Sequence, residues 1–415
     1  MGSADRSLSF RPMNPKLREI RTQPIVSRGQ QGILLSDPLG INPGALFIPR
    51  PLALILALLD GTRDIGTVRA GFELRTGTPL NTSILERLIS ELDEALFLDN
   101  ERFAQAYALA TEDFRSAVSR LPILVGRCCP ADAGELGAFL QTYLNQIGNA
   151  DMGSLSHVKG LVSPHIDFPR GGPIYARVWA KAKAAVNEAE LVIILGTDHN
   201  GGEGTITLTR QNYETPWGII PTAQDVVDEV AAEAGDEVFR YELHHSVEHS
   251  VEAAIIWLHY LLGGRQCQVL PVLCGSFRQF IDRGESPSQS AHISATVETL
   301  KRVAARRQTL VVAAGDLAHV GPAFGDPYSV DFAGRAKLAS QDKRLMEIMS
   351  RGQAQDFYEE IRREDDRRHI CGMPPIYIAQ SVLSGVDGSS VGYAQCPASE
   401  DGSSVVSICG MIYHA

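Results

Sequence analysis

Apolar positions obey two regimes along this chain. Up to about residue 120 they come in short runs broken by Gly, Pro and Asn; beyond it they gather into unbroken blocks separated by helix-length stretches. Residues 1 to about 27 are polar without a sustained period and read as a loose lead-in. Gly32-Ile33-Leu34-Leu35-Ser36-Asp37-Pro38 and Ala45-Leu46-Phe47-Ile48 then predict a strand pair. Leu52 to Leu59 predicts a helix ended by Asp60-Gly61. Asn81-Thr82-Ser83 predicts the cap of another, in which Ile84, Leu85, Leu88, Ile89, Leu92 and Leu96 recur at helical spacing. These elements make a small α+β domain over residues 28–103, then a helical connector, 104–120, and a boundary at Leu121-Pro122.

Residues 121–415 predict one α/β domain, a mostly parallel sheet covered by helices on both faces. Its candidate strands are Leu161-Val162-Ser163, Leu191-Val192-Ile193-Ile194-Leu195, Gln268-Val269-Leu270-Pro271-Val272-Leu273 and Leu310-Val311-Val312-Ala313-Ala314. They are apolar without alternation, as strands buried on both sides are. Glu359 to Arg368 reads as one solvated helix face, and Gly385 to Ser390 and Ser399 to Ser404 as loops.

The segments at the carboxyl ends of three of these strands carry the chemistry. The first strand runs into Pro164-His165-Ile166-Asp167, the second into Gly196-Thr197-Asp198-His199, and the last into Gly315-Asp316-Leu317-Ala318-His319. Ligands of open α/β sheets bind outside the carboxyl ends of the strands, so three segments can deliver imidazoles to one crevice. His249 opens an apolar helix through Ile255, Ile256, Leu258 and Leu261 and is a fourth candidate imidazole. Cys371 lies just before another apolar helix, Ile376 to Leu383, whose dipole and free N–H groups favour a thiolate. Asp198 and Asp316 also suit helix caps. His157, His244, His245, His259, His292 and His414 receive no role, because a lone histidine is more often a structural residue. Cys128-Cys129 lacks the spacer of a redox or zinc pair, and Cys267, Cys274, Cys396 and Cys409 lie in apolar runs as small hydrophobes. Gly201-Gly202-Glu203-Gly204 lacks the Gly-Lys-Ser/Thr of a phosphate loop and reads as a turn.

Composition narrows the classes. The chain has 415 residues, 44% hydrophobic and 21% charged, with a formal charge of −11, which excludes collagen-like, disordered and coiled-coil chains. No basic block offers the usual footprint for nucleic acid. The longest apolar run, Pro51 to Leu59, is far short of the roughly 20 residues of a spanning helix, so no membrane segment is expected. No signal-peptide core comes after Met1, and seven scattered cysteines do not make a disulfide framework; both point to the cytoplasm.

The chain carries two family resemblances. Leu58-Leu59-Asp60-Gly61-Thr62-Arg63-Asp64-Ile65, with Leu96-Phe97-Leu98-Asp99, resembles PqqD-like winged-helix domains, which dock a peptide or protein partner against a strand edge and helix groove; a structural cap or dimer module fits the same residues equally. From about residue 121 the chain resembles the Memo family, protein B of the AmmeMemoRadiSam system. The blocks that carry this are Pro164-His165, Ile194-Leu195-Gly196-Thr197-Asp198-His199, Thr215-Pro216-Trp217-Gly218, Glu248-His249-Ser250-Val251-Glu252, Leu270-Pro271-Val272-Leu273, Gly315-Asp316-Leu317-Ala318-His319 and Ile370-Cys371-Gly372-Met373-Pro374-Pro375-Ile376, in family order.

The Memo resemblance implies a class III extradiol dioxygenase-like fold. By position it implies that His165, His199 and Cys371 hold one transition metal ion (iron, copper or zinc), that His319 is the acid/base residue, and that Asp316 and His249 line the site. A thiolate in place of the dioxygenase carboxylate makes the donor set softer and puts ring cleavage in doubt. Ile166-Asp167-Phe168-Pro169-Arg170 departs from the family's usual segment, and Asp167 and Arg170 there can bond each other or a substrate. Three functions fit: a metal-dependent redox or dioxygenase-like protein acting with a radical-SAM enzyme, a non-catalytic protein that binds metal and a peptide or partner, and a metal-free enzyme with Cys371 as nucleophile.

Overall fold

The computed structural model describes residues 14–148, 153 and 155–414, which divide into two compact units at Phe114/Arg115. The first unit begins with strands β1 (Arg21–Ser27), β2 (Gln30–Ser36) and β3 (Ala45–Pro49). Helices α1 (Ala53–Leu56), α2 (Ile65–Thr76), α3 (Thr82–Glu94) and α4 (Glu101–Ser116) come next.

The strands form one antiparallel sheet in the order β1-β2-β3, so the expected pair is there with a third strand added. That third strand corrects the reading of residues up to 27 as a loose lead-in. β1 is an edge strand with mostly exposed residues, so it needs no apolar alternation to pair. Its signal was the two-residue turn Arg28-Gly29, both at positive φ, the geometry of a tight hairpin. The predicted helix over Leu52 to Leu59 shortens to a 3-10 turn and α1. Asn81 caps α3 by accepting from the Ser83 N–H, and Leu85, Leu88, Ile89 and Leu92 are buried on its inner face while Ile84 stays outside.

The second unit runs α5 (Ala133–Gln146), β4 (Val158–Ser163), α6 (Phe168–Glu188), β5 (Leu191–Thr197), β6 (Ile206–Leu208), β7 (Tyr213–Thr215), β8 (Gly218–Ile220), α7 (Gln224–Ala234) and α8 (Ser250–Leu262). It continues with β9 (Gln268–Cys274), α9 (Arg278–Arg283), α10 (Ala291–Arg306), β10 (Thr309–Ala314), β11 (His319–Val320), α11 (Phe332–Met349), α12 (Ala354–Arg363), α13 (Met373–Leu383), β12 (Asp387–Pro397) and β13 (Val405–His414). Eight of these strands make one sheet in the order β11-β13-β4-β10-β5-β9-β6, with β12 paired to β13. The four central strands β4, β10, β5 and β9 are parallel, and β13 and β6 join them antiparallel.

Both faces of that sheet are dry, which explains its unbroken apolar strands. In β5, Leu191, Ile193 and Leu195 pack into one core with residues of α7, α10, α12 and α13, while Val192 and Ile194 pack into the other with α5, α6 and α8. β10 alternates the same way, Val311 and Ala313 against Leu310 and Val312. Register sets the site. Ala314 of β10 pairs with Ser163 of β4 and with Gly196 of β5, so the segments after all three strands start from one level.

Two further expectations are corrected. Gly385 to Ser390 is not wholly loop, because β12 begins at Asp387. β12 lies at the sheet's edge against β13, and backbone pairing there requires no apolar side chains. Glu359 to Arg368 is not one solvated face. Helix α12 ends at Arg363, and Arg368 is buried, its Nη1 2.5 Å from the buried Asp342 carboxylate. Charge alone cannot distinguish a solvated arginine from one paired inside. Among the described residues no helix is long and apolar enough to cross a membrane.

Candidate metal centre

His165 lies two residues past β4, and its ring is buried. Its backbone N–H donates to Asp316 Oδ1 at 2.9 Å, tying the end of β4 to the end of β10. Nδ1 lies 3.1 Å from the Ala314 carbonyl oxygen, which can only accept, so Nδ1 carries the proton. Nε2, at the other side of the ring, faces Cys371 Sγ at 3.2 Å.

His199, two residues beyond β5, is oriented by Glu248, whose Oε2 accepts from its backbone N–H at 3.1 Å and from Nδ1 at 2.9 Å. The other oxygen of Glu248 accepts from the N–H groups of His249 and Ser250 at 2.8 and 2.9 Å and lies 3.1 Å from His249 Nδ1. Burial opposes ionisation of Glu248, but the His199 charge and the hydrogen bonds from His199 and His249 outweigh it and hold the carboxyl well below its ordinary range. One buried carboxylate thus fixes two rings. The centroids of His165, His199 and His249 stand 5.0 to 5.4 Å apart, a triangle of imidazoles.

Cys371 reaches this triangle because two glycines touch. A Cβ on Gly315 would stand 2.6 Å from the Cα of Gly372, and one on Gly372 would stand 2.5 Å from the Asp316 carbonyl oxygen. That contact lets the loop before α13 lie against the end of β10, where Gly372 N–H donates to Asp316 O and Thr197 Oγ1 donates to Cys371 O, each at 2.9 Å. Burial disfavours a thiolate, yet the His165 and His319 charges and the hydrogen bonds from His165 and His199 hold the Cys371 thiol well below its usual range. Burial likewise pulls His165 down, but Cys371 and Asp316 push it up to about 9.

The nitrogens of His165 and His199 and the Cys371 sulfur all lie within 4.8 Å of one another, and a second such group is His199, Glu248 and His249. Metal–nitrogen bonds of about 2.0–2.1 Å and a metal–sulfur bond of about 2.3 Å put tetrahedral donors roughly 3.3–3.6 Å apart. The His165–Cys371 distance is already close to that.

His319 is not in either group. Its Nδ1 lies 3.2 Å from Leu317 O, its N–H donates to Arg368 O at 2.7 Å, and its ring packs edge-on against Phe324. Asp316 and Asp198 do not cap helices. Asp316 holds His165, and Asp198 accepts from the Asn200 N–H and faces His244 Nδ1 at 3.0 to 3.1 Å. His244, given no role from sequence, is therefore a buried partner of Asp198. Asp167 and Arg170 bond each other, Nε to Oδ2 at 2.8 Å. Sequence reasoning misses Glu248 as a site residue; its signal is a carboxylate directly before a candidate imidazole in an apolar setting. It misses Arg120 too. Fully buried, Arg120 pairs with Glu252 and donates to the carbonyls of His245 and Glu248 at 2.8 Å, clamping the segment that carries Glu248. Glu252 also accepts from the N–H groups of Ile123 and Leu124.

A family profile described as Memo-like protein matches residues 120–412, a span that contains every residue of this centre. The chain belongs to the Memo family. A MEMO1 family protein of Aquifex aeolicus is 26% identical over 378 residues, covering 89% of this chain and 91% of that protein. Relatives of the same description from Nitrosopumilus maritimus and Methanopyrus kandleri are 26% and 23% identical, over 66% and 71% of this chain and 91% and 99% of theirs. The Aquifex match is longer than the second unit, so Memo likeness in that case runs into the first unit as well.

Proposed function

We propose that this Memo-family chain is a metal-dependent redox protein whose single transition metal ion is held by His165, His199 and Cys371. The observation that carries this reading is the fixed orientation of His165: Nδ1 is tied to a carbonyl and Nε2 faces a sulfur whose surroundings favour the thiolate. Two neutral imidazoles and a thiolate suit iron, copper or zinc, and three protein ligands leave a position open for a small substrate or dioxygen. His199 is the exposed member of the set, so solvent reaches the three ligands on its side. The metal would supply Lewis-acid or redox chemistry. In this reading His319 moves protons, Asp316 and His249 line the site, and Glu248 keeps the His199 ring aimed inward. The test is metal content after anaerobic purification without chelator: the wild-type chain carries close to one ion, and His165→Ala and Cys371→Ala lose it. Equal metal in all three proteins refutes the reading.

The thiolate facing an imidazole also suits a nucleophilic cysteine without metal. Alkylation separates the two: a Cys371 that bound metal protects supports the metal centre, and one alkylated equally fast with or without metal supports the nucleophile. The first unit would serve partner binding, of a peptide or a radical-SAM enzyme. Both edges of its three-stranded sheet, β1 and β3, favour added-strand docking. Isotope-edited backbone signals of β1 or β3 that shift on adding partner would support this use, and shifts confined to the second unit would refute it.

A further inference from the structure

A second pair of reactive groups lies just before α5 and is not used by the metal centre. Cys128 and Cys129 end a tight turn in which the N–H groups of Arg127 and Cys128 both donate to the Leu124 carbonyl, at 3.1 and 3.0 Å. Gly126, at φ 77°, donates to the Cys129 carbonyl at 2.8 Å. Consecutive side chains on extended backbone point to opposite faces. Here the turn brings both to one side, and each sulfur lies 3.6 Å from the same Leu124 carbonyl oxygen. Cys129 is buried in the core beside α5 and α6, and Cys128 is half-buried.

The two sulfurs differ in kind. Cys128 is half-buried near the start of the 21-residue helix α6, where the helix dipole favours negative sulfur. The neighbouring Cys129 thiol holds the Cys128 thiol below its usual range against burial and the charges of Asp167 and Glu252. The same contact, reinforced by burial, pushes the Cys129 thiol up. One sulfur is set to attack, and its neighbour keeps a proton.

We propose that Cys128-Cys129 is a redox-active dithiol that a low-molecular-weight disulfide converts into a bond between the two cysteines. The Cys128 thiolate attacks one sulfur of the small disulfide, forming a mixed disulfide and releasing one thiolate, which takes up a proton. Cys129 then loses its proton, and its sulfur attacks Cys128 Sγ, releasing the second small thiolate. The pair gives up two electrons and the small disulfide accepts them as two thiols. Adjacent Cα atoms are about 3.8 Å apart, short of the roughly 4.4–6.8 Å that relaxed disulfides span. The product is therefore strained and readily reduced, a reversible bond rather than a structural one.

The full chain, titrated with glutathione disulfide against glutathione, quenched with iodoacetamide and digested, tests this by mass spectrometry of the peptide holding both residues. The wild-type peptide is expected to lose two hydrogens and regain them in excess glutathione. Cys129→Ala is expected to accumulate a glutathione adduct on Cys128 that the wild type does not retain, and Cys128→Ser to give neither product. Cys371→Ser should leave the oxidised peptide unchanged. A wild-type peptide that stays doubly alkylated at every ratio overturns the proposal, as does an adduct on Cys128 that persists in the wild type, or oxidation that requires Cys371.

Discussion

The carboxylate of Glu248 and the protonation of His165 are where single atoms decide the behaviour of this centre. Glu248 touches no metal in the proposed set; it holds the Nδ1 side of His199 and His249 so that the opposite nitrogen of each ring points away from it. Removing such a partner lowers metal affinity by about 10- to 100-fold. Glu248→Gln, which keeps the shape and loses the charge, is expected to fall in that range by competitive chelator titration, with the fold unchanged by circular dichroism. The pH dependence has a definite sign. Without metal, His165 keeps a second proton up to about pH 9, and a bound ion must displace it from Nε2. Metal affinity therefore weakens as pH falls below that value, by up to about tenfold per pH unit for one competing proton. Affinity that is flat between about pH 8 and pH 6 contradicts this assignment.

Among the elements, the decisive contacts are backbone against backbone. Cys371 arrives because Gly315 and Gly372 leave no side chain between β10 and the loop before α13, and a backbone neighbour cannot rotate aside to admit a methyl. Gly315→Ala is expected to cost about 1–3 kcal/mol of stability in denaturant unfolding, and to lower metal retention more than a substitution of equal cost elsewhere in the sheet. Equal metal retention would show that the loop does not rely on this contact. On the other side of the site, Arg120 and Glu252 anchor the start of α8 from within the core. Their partners are satisfied on both sides, so removing one leaves a buried charge alone. Glu252→Ala is expected to destabilise by about 3–5 kcal/mol, measured by the same unfolding.

For the whole molecule, the two compact units make a prediction of their own. All residues proposed to hold metal lie after residue 115, so a chain of residues 115–415 is expected to unfold cooperatively and to carry as much metal as the full chain. Loss of metal from that fragment would mean that the first unit completes the centre. The sequence alone determined the doubly covered sheet and the strand ends that carry His165, His199 and Asp316. A strand buried on both faces must be apolar at every position, and a residue just past its carboxyl end needs no further information to be placed there. It also placed Cys371 and His249 beside helix starts. It misread β1 and β12, because an edge strand is held by backbone pairing that side-chain patterns do not record. Only the tertiary structure decided that Glu248 serves two rings, that Arg368 and Arg120 are buried, that His244 faces Asp198, and that Cys128 and Cys129 point the same way. The reason is range. Periodicity reports each residue's burial within its own element, whereas the Cys371–His165 contact joins residues 206 apart in the chain and depends on how whole elements pack.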